Sequence, residues 1–300
     1  QRTARAQRLM ADQDIDAIWL SSEPDDDHIA EGFTEDLITR LAGWRWFPII
    51  GQASSRRFAK NVLDLEAARQ EIGAAYVITG SIRRMGDRAR VNAFLTDTRS
   101  GIECWSATYE VNLADIWAAQ NEAALRIVGS IAPELVEIEG QAIAQQSPND
   151  FGAWQQTMLG LWLLARRKSK DVAQALLCFQ SAIEKDPDFS LSWYGKTWAH
   201  HHRAVEQWSA DPAAELALMG VAAETCYQCE PNSSSALTVM GLREMVLGER
   251  QRTLSYLEQA TELNPSSTRA LSLLGQCYCM AGRANECIAA LEEAVLLSPY

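Results

Sequence analysis

Apolar residues recur at two different periods along this chain, and the change of period divides it. In the first half, Phe33, Leu37, Ile38 and Leu41 follow one another at three to four residues, which predicts a helix over 29–41. Before it, Asp16 to Ser22 ("DAIWLSS") reads as a strand, and after it Phe47 to Gly51 ("FPIIG") reads as another. A helix over 63–72 is stopped by Gly73. Three runs with strand character then follow at 75–84, 89–97 and 102–111, joined by "MGD" and "TRSG", which are turn chemistry. A long helix from Leu113 to about Ile138 leads into the polar hinge "QQSPND". The order βαβαβββα fits an α/β domain over 15–147, a mixed sheet with helices packed on it.

Beyond the hinge the pattern is helical throughout and repeats itself. Gly241 to Gly275, Leu257 to Leu291, Ala260 to Ala294 and Pro265 to Pro299 are each 34 residues apart. In the last copy the recurring positions are Leu271, Leu274, Gly275, Tyr278, Cys287, Leu291, Ala294 and Pro299. In the copy before they are Leu237, Met240, Gly241, Glu244, Thr253, Leu257, Ala260 and Pro265. This set resembles the tetratricopeptide repeat, a helical hairpin closed by proline. Glu244 departs from it, with a carboxylate where an aromatic ring usually packs. An earlier copy carries Leu159, Gly160, Leu163, Ala175, Phe179, Ala182 and Pro187, with three extra residues expected in its inter-helix loop. The copy after it runs from Leu191, Tyr194, Gly195 and Trp198 to Pro231 and holds twelve more residues around "HHHRAVEQWSADP". Four hairpins are expected, at about 153–187, 188–231, 234–267 and 268–300, stacked as an all-α solenoid. Each is too small to bury its own apolar face, so stacking makes the core and leaves a concave face that in this class binds protein or peptide segments.

"EGFTEDLI" (31–38), "IIGQASS" (49–55), "YVITGSIRR" (76–84) and "TDTRSGIECWS" (96–106) resemble the amino-terminal-like domain of TolB as it occurs in large proteobacterial regulators. "IWLSS" departs from that family, where an apolar run ending in Pro-Phe is usual. The two resemblances together imply the sensory or interaction part of a bacterial regulator. Its output domain would be a winged-helix DNA-binding domain, the leading expectation, or a class III nucleotide cyclase domain. The resemblance also implies a protein or peptide partner and, where output domains work in pairs, a homodimer.

Composition narrows the function. Basic residues number 15 against 22 acidic up to Ser147, and 12 against 17 from Pro148, so both halves are acidic and neither offers a nucleic-acid surface. No apolar run reaches the roughly 20 residues of a membrane helix. Seven cysteines, mostly in helical contexts, suggest a reducing compartment, and the cytoplasm is expected. Residues 1–14 have no initiator Met and no apolar signal core, and the chain stops just after a helix. We read them as a linker from an upstream domain of a longer chain.

Candidate sites are few. Arg83, Arg84, Arg88 and Arg90 flank one hairpin turn and could hold a phosphate, a nucleotide or an acidic partner, although exposed hairpins also carry charge to blunt edge pairing. His200, His201 and His202 stand beside Trp193, Trp198 and Trp208, but three consecutive histidines on a helix point in three directions and suit a metal poorly. Trp198 falls on a packing position, whereas Trp193, Trp208 and His201 are candidate contacts for a ligand peptide. Asp25 to Asp27 read as the acidic start of a helix. Cys226 and Cys229 have the spacing of a zinc half-site, yet Cys226 stands at the small-residue position of Ala182, Ala260 and Ala294, which marks a repeat end. Cys287 likewise reads as compact apolar filler. No Gly-rich phosphate loop, Ser-His-Asp order or zinc-protease motif is present, so no enzyme site, metal or cofactor is expected.

Overall fold

The computed structural model describes residues 17–18, 21–22, 27–43, 47, 49–50, 65–146 and 151–297. Its elements in chain order begin with β1 (Ala17–Ile18), β2 (Ser21–Ser22), α1 (Asp27–Ala42) and α2 (Leu65–Ile72). Next come β3 (Tyr76–Met85), β4 (Arg88–Asp97), β5 (Glu103–Asn112) and α3 (Ile116–Ala144). Eight helices complete the chain: α4 (Ala153–Ala165), α5 (Ser169–Lys185), α6 (Ser190–Val205), α7 (Pro212–Cys229), α8 (Ser234–Leu247), α9 (Arg250–Leu263), α10 (Thr268–Met280) and α11 (Ala284–Leu297). The linker 1–14, the segment 51–64 and Pro299 lie outside the described residues.

Two compact units divide at Ile131 and Ala132, inside α3 and just before Pro133, which cannot donate a helical hydrogen bond. In the first unit β3, β4 and β5 form an antiparallel meander, and the two-residue β1 and β2 lie parallel to β3. The full βαβαβββα order is therefore not reproduced. The described members of the expected strand over 47–51, residues 47, 49 and 50, are not in a strand. Alternation along β4 buries Ala89, Val91, Ala93 and Leu95 on one sheet face, with Phe33 and Leu37 of α1 and Ala123 and Ile127 of α3 also in the core. On the other face, Val77 packs with Ala68 and Ala74.

The second unit ends in four helical hairpins, α4–α5, α6–α7, α8–α9 and α10–α11. Pro187, Pro231 and Pro265 each stand two residues beyond a second helix. The three extra residues of the first hairpin are helix and not loop. Segments 166–168 and 281–283 are equally long, whereas α5 begins six residues before Ala175 and α11 begins three before Cys287. The second hairpin distributes its insertion. Helix α6 runs ten residues past Gly195 where α10 runs five past Gly275, the link 206–211 is long, and α7 gains a turn at its start. That start is capped by the Asp211 carboxylate, which accepts from Ala214 N at 3.0 Å, with Pro212 as the first helical residue.

The repeated glycines are where helices touch. A Cβ on Gly160 would lie 2.6 Å from the Phe179 ring and one on Gly195 2.3 Å from the same ring, so Phe179 is wedged between the first helices of two successive hairpins. Gly241 admits Leu257, and Gly275 admits Leu291, in the same way. Glu244, the departure at the aromatic position, is almost wholly buried. Its carboxylate meets the Arg243 guanidinium, and Arg252 approaches at 3.7 Å, so the charge is not left alone.

Gly195→Ala should therefore cost about 1–3 kcal/mol through overpacking. Gly220→Ala, in α7 with only Arg243 near its added methyl, should stabilise by up to about 1 kcal/mol through helix propensity. Urea unfolding monitored by circular dichroism checks both signs.

Candidate interaction surface

First helices of successive hairpins, α4, α6, α8 and α10, touch one another in turn, while second helices of neighbouring hairpins make little contact. The first helices therefore line the inner side of the array. Tyr194, Trp198 and His202 follow at intervals of four along α6 and so share one face. Trp198 is the centre of a ring cluster, with centroids 6.3 Å from Tyr194, 5.7 Å from His201 and 6.1 Å from His202. Arg269 at the start of α10, two hairpins further on, lays its guanidinium 4.5 Å over the Trp198 ring. Arg167, between α4 and α5, reaches Glu206 just past α6 at 3.0 Å. Guanidiniums thus approach this face of α6 from the hairpins on either side.

Electrostatics keep the histidines neutral. Burial first, then the charges of Arg167 and Arg269, push His202 down to about 4. His201 is lowered by the same causes, with Glu206 opposing them. On the opposite side of α6, His200 is also lowered by burial, although its Nδ1 lies 2.6 Å from Glu215 on α7. Burial alone would raise the Glu215 carboxyl, but bonds from His200, Ser209 and Arg203 hold it below the usual range. A neutral His200 thus donates Nδ1–H to a carboxylate, and its Nε2 remains a buried acceptor with no partner. His200 turns away from the other two, whereas His201 and His202 both turn to Trp198 with their rings 5.8 Å apart, so the expectation of three separate directions holds only in part. Among the described residues no group of three or more His, Cys, Asp or Glu could hold a metal ion.

Of the candidate peptide contacts Trp193, Trp208 and His201, only His201 joins the Trp198 cluster. Trp193 donates from Nε1 to the Pro187 carbonyl at 2.8 Å and carries Lys196 on its ring, away from the cluster. Trp208 is half-buried in the link 206–211. Sequence reasoning misses Arg269 and Arg167, because they lie outside the second hairpin and nothing in their local sequence marks them. In the first unit, Arg83, Arg88 and Arg90 share one face of the sheet beside Glu110, and of the four only Arg84 leaves it. Arg88 and Arg90 both pair with Glu110, at 3.9 and 2.9 Å, and Arg83 lies opposite Arg90 in the ladder. Arg84 alternates to the other face and donates to the Gly86 carbonyl. Cys226 donates to the carbonyl of Ser190, the first residue of α6, and Cys229 to that of Pro187 in the loop before it.

Residues 247–299 match the family described as tetratricopeptide repeat. A protein of Rhizobium meliloti (strain 1021), named "Putative adenylate cyclase 3", is 26% identical over 206 residues, covering 68% of this chain and 35% of its own length. The chain thus spans about a third of that relative. Among solved structures, a thermophilic TPR protein of Thermus thermophilus is 18% identical with a TM-score of 0.45, covering 62% of this chain and 88% of that one. YrrB, described as a TPR protein with an unusual peptide-binding site, is 20% identical with a TM-score of 0.35, covering 55% and 76%. Among the described residues, no helix is long and apolar enough to cross a membrane.

The burial of His202 has a pH signature. Its folded value of about 4 lies below the roughly 6.5 of an unfolded histidine, so the unfolded chain takes up the proton first as pH falls. This contribution to stability is intact above about pH 6.5 and is lost between there and about pH 4. An NMR titration should leave the His202 ring neutral at about pH 5, and His202→Gln should flatten the fall of the urea midpoint in that window. A His202 ring that titrates at its ordinary value contradicts the assignment.

Proposed function

We propose that this chain is a non-catalytic interaction segment that binds a protein or peptide on the inner face of its helical hairpins. It passes the binding event to an output domain of a longer bacterial signalling protein. The observation that carries this reading is the Trp198 cluster. An aromatic floor, two neutral imidazoles and the guanidiniums of Arg167 and Arg269 stand together on the side lined by first helices. Trp198 is itself buried and backs this surface, so the half-buried His201 and Arg269 are the groups a peptide would reach, a guanidinium suiting its carbonyl and carboxylate acceptors. The tetratricopeptide match over 247–299 supports the same role.

For the output domain, the likeness to the relative named an adenylate cyclase favours a nucleotide cyclase over a winged-helix DNA-binding domain. The first unit is then a TolB-like companion of the array, a reading supported by strands β3 to β5 lying where "YVITGSIRR" and "TDTRSGIECWS" stand. A nucleotide or phosphate site at the arginine hairpin is less favoured, since Glu110 already engages Arg88 and Arg90.

Selection of a displayed peptide library against the 300-residue chain should yield binders. Arg269→Glu should weaken them at least ~10-fold, the scale of one charge-assisted contact, and Lys170→Glu, on the exposed surface of α5, should leave them unchanged. Failure to select any peptide, or equal binding to the Arg269→Glu chain, would contradict the proposal.

A further inference from the structure

The last hairpin carries a bond that its three neighbours lack among the described residues. Cys279, in the last turn of α10, is bridged to Cys287, in the first turn of α11, with Cα atoms 5.3 Å apart. That separation lies within the window in which two cysteines bond without backbone movement. The two sulfurs are unequally placed. Cys287 is buried at the repeat position held by Ala175 and Thr253 in other copies, whereas Cys279 is exposed to solvent. Cys178, Cys226 and Cys277 are buried free thiols, and burial raises each above its ordinary value. They are poor nucleophiles and compete little for the pair.

We propose that Cys279 and Cys287 form a reversible thiol–disulfide site that sets how firmly the last hairpin is held. In the forward direction two thiols exchange with one low-molecular-weight disulfide. The protein loses two S–H bonds and gains one S–S bond, and the reagent's S–S bond breaks as it leaves with both electrons and both protons as two thiols. In the reverse direction a thiolate attacks the exposed Cys279 sulfur, Cys287 leaves as thiolate, and a second thiolate attacks the reagent sulfur of the mixed disulfide to free Cys279. Solvent access to Cys279 distinguishes this bond from a buried structural brace, since exposed bridges are the labile ones.

The bond acts at a junction. Tyr278, beside Cys279, donates from its hydroxyl to Glu258 of α9 at 3.1 Å, and Arg283 stacks on its ring at 4.3 Å. Tying α11 to α10 at this turn therefore also steadies the contact with the third hairpin.

Equilibrating the 300-residue chain in glutathione buffers of graded ratio, then alkylating and mapping cysteines by mass spectrometry, tests the site. Cys279 and Cys287 should lose reactivity together as the buffer becomes oxidising, and recover it when reduced glutathione is restored. The bridged form should melt about 5 °C higher. Cys279→Ser, a change at an exposed position, should fold and lose the redox dependence of its melting temperature. A bridge that resists excess reduced glutathione, a bond through another cysteine, or no bridge at any ratio would overturn the proposal.

Discussion

One ring holds the start of the array in register. Phe179 projects from α5 into the space left by two missing side chains, Gly160 on α4 and Gly195 on α6, and is wholly buried there. It therefore closes its own hairpin and joins that hairpin to the next through a single contact. Truncating such a ring typically costs about 3–5 kcal/mol, and here the loss would fall on both interfaces. Leu257 and Leu291 close their own hairpins against Gly241 and Gly275 further along. Because each hairpin rests on its neighbours, the array follows from a chain of local fits, and the reach of Arg269 to Trp198 across two hairpins is a longer contact laid on it.

The second hairpin shows how such a lattice acquires a special place. Added helix at the end of α6 and at the start of α7 provides positions that the repeat itself does not supply. Arg203 and Glu215 use them to tie the two extensions together on one side, with His200, at the last ordinary position of the helix, on the same carboxylate. On the other side His201 and His202 extend the aromatic surface begun by Tyr194 and Trp198. The arginines that complete this surface come from the link after α4 and from the start of α10.

The parts of this arrangement that can be read from sequence are those carried by period and small residues. The 34-residue spacing locates the hairpins, and alternation locates β3, β4 and β5 to within a residue or so. Counting does not say whether inserted residues become loop or helix. The three extra residues before Ala175 extend α5, since "SKDVAQ" contains nothing that stops a helix. Glu244 is anomalous in the sequence because, although Arg243 stands beside it, Arg252 reaches it only once α8 and α9 fold together. The Cys279–Cys287 bond departs from the expectation of seven reduced thiols. The register of Cys287 by itself gives that residue a packing role, and only the hairpin brings it to Cys279. Arg269 is hidden for a similar reason, as its meaning lies in a ring 71 residues earlier.

Stacking by nearest neighbours is the claim on which the inner surface stands, and hydrogen exchange on Phe179→Ala measures it most directly. Loss of amide protection should concentrate in α4, α5 and α6, with α10 and α11 keeping theirs, as expected when stability is a sum of local interfaces. Equal loss along all eight hairpin helices, or no loss in α6, would contradict the account.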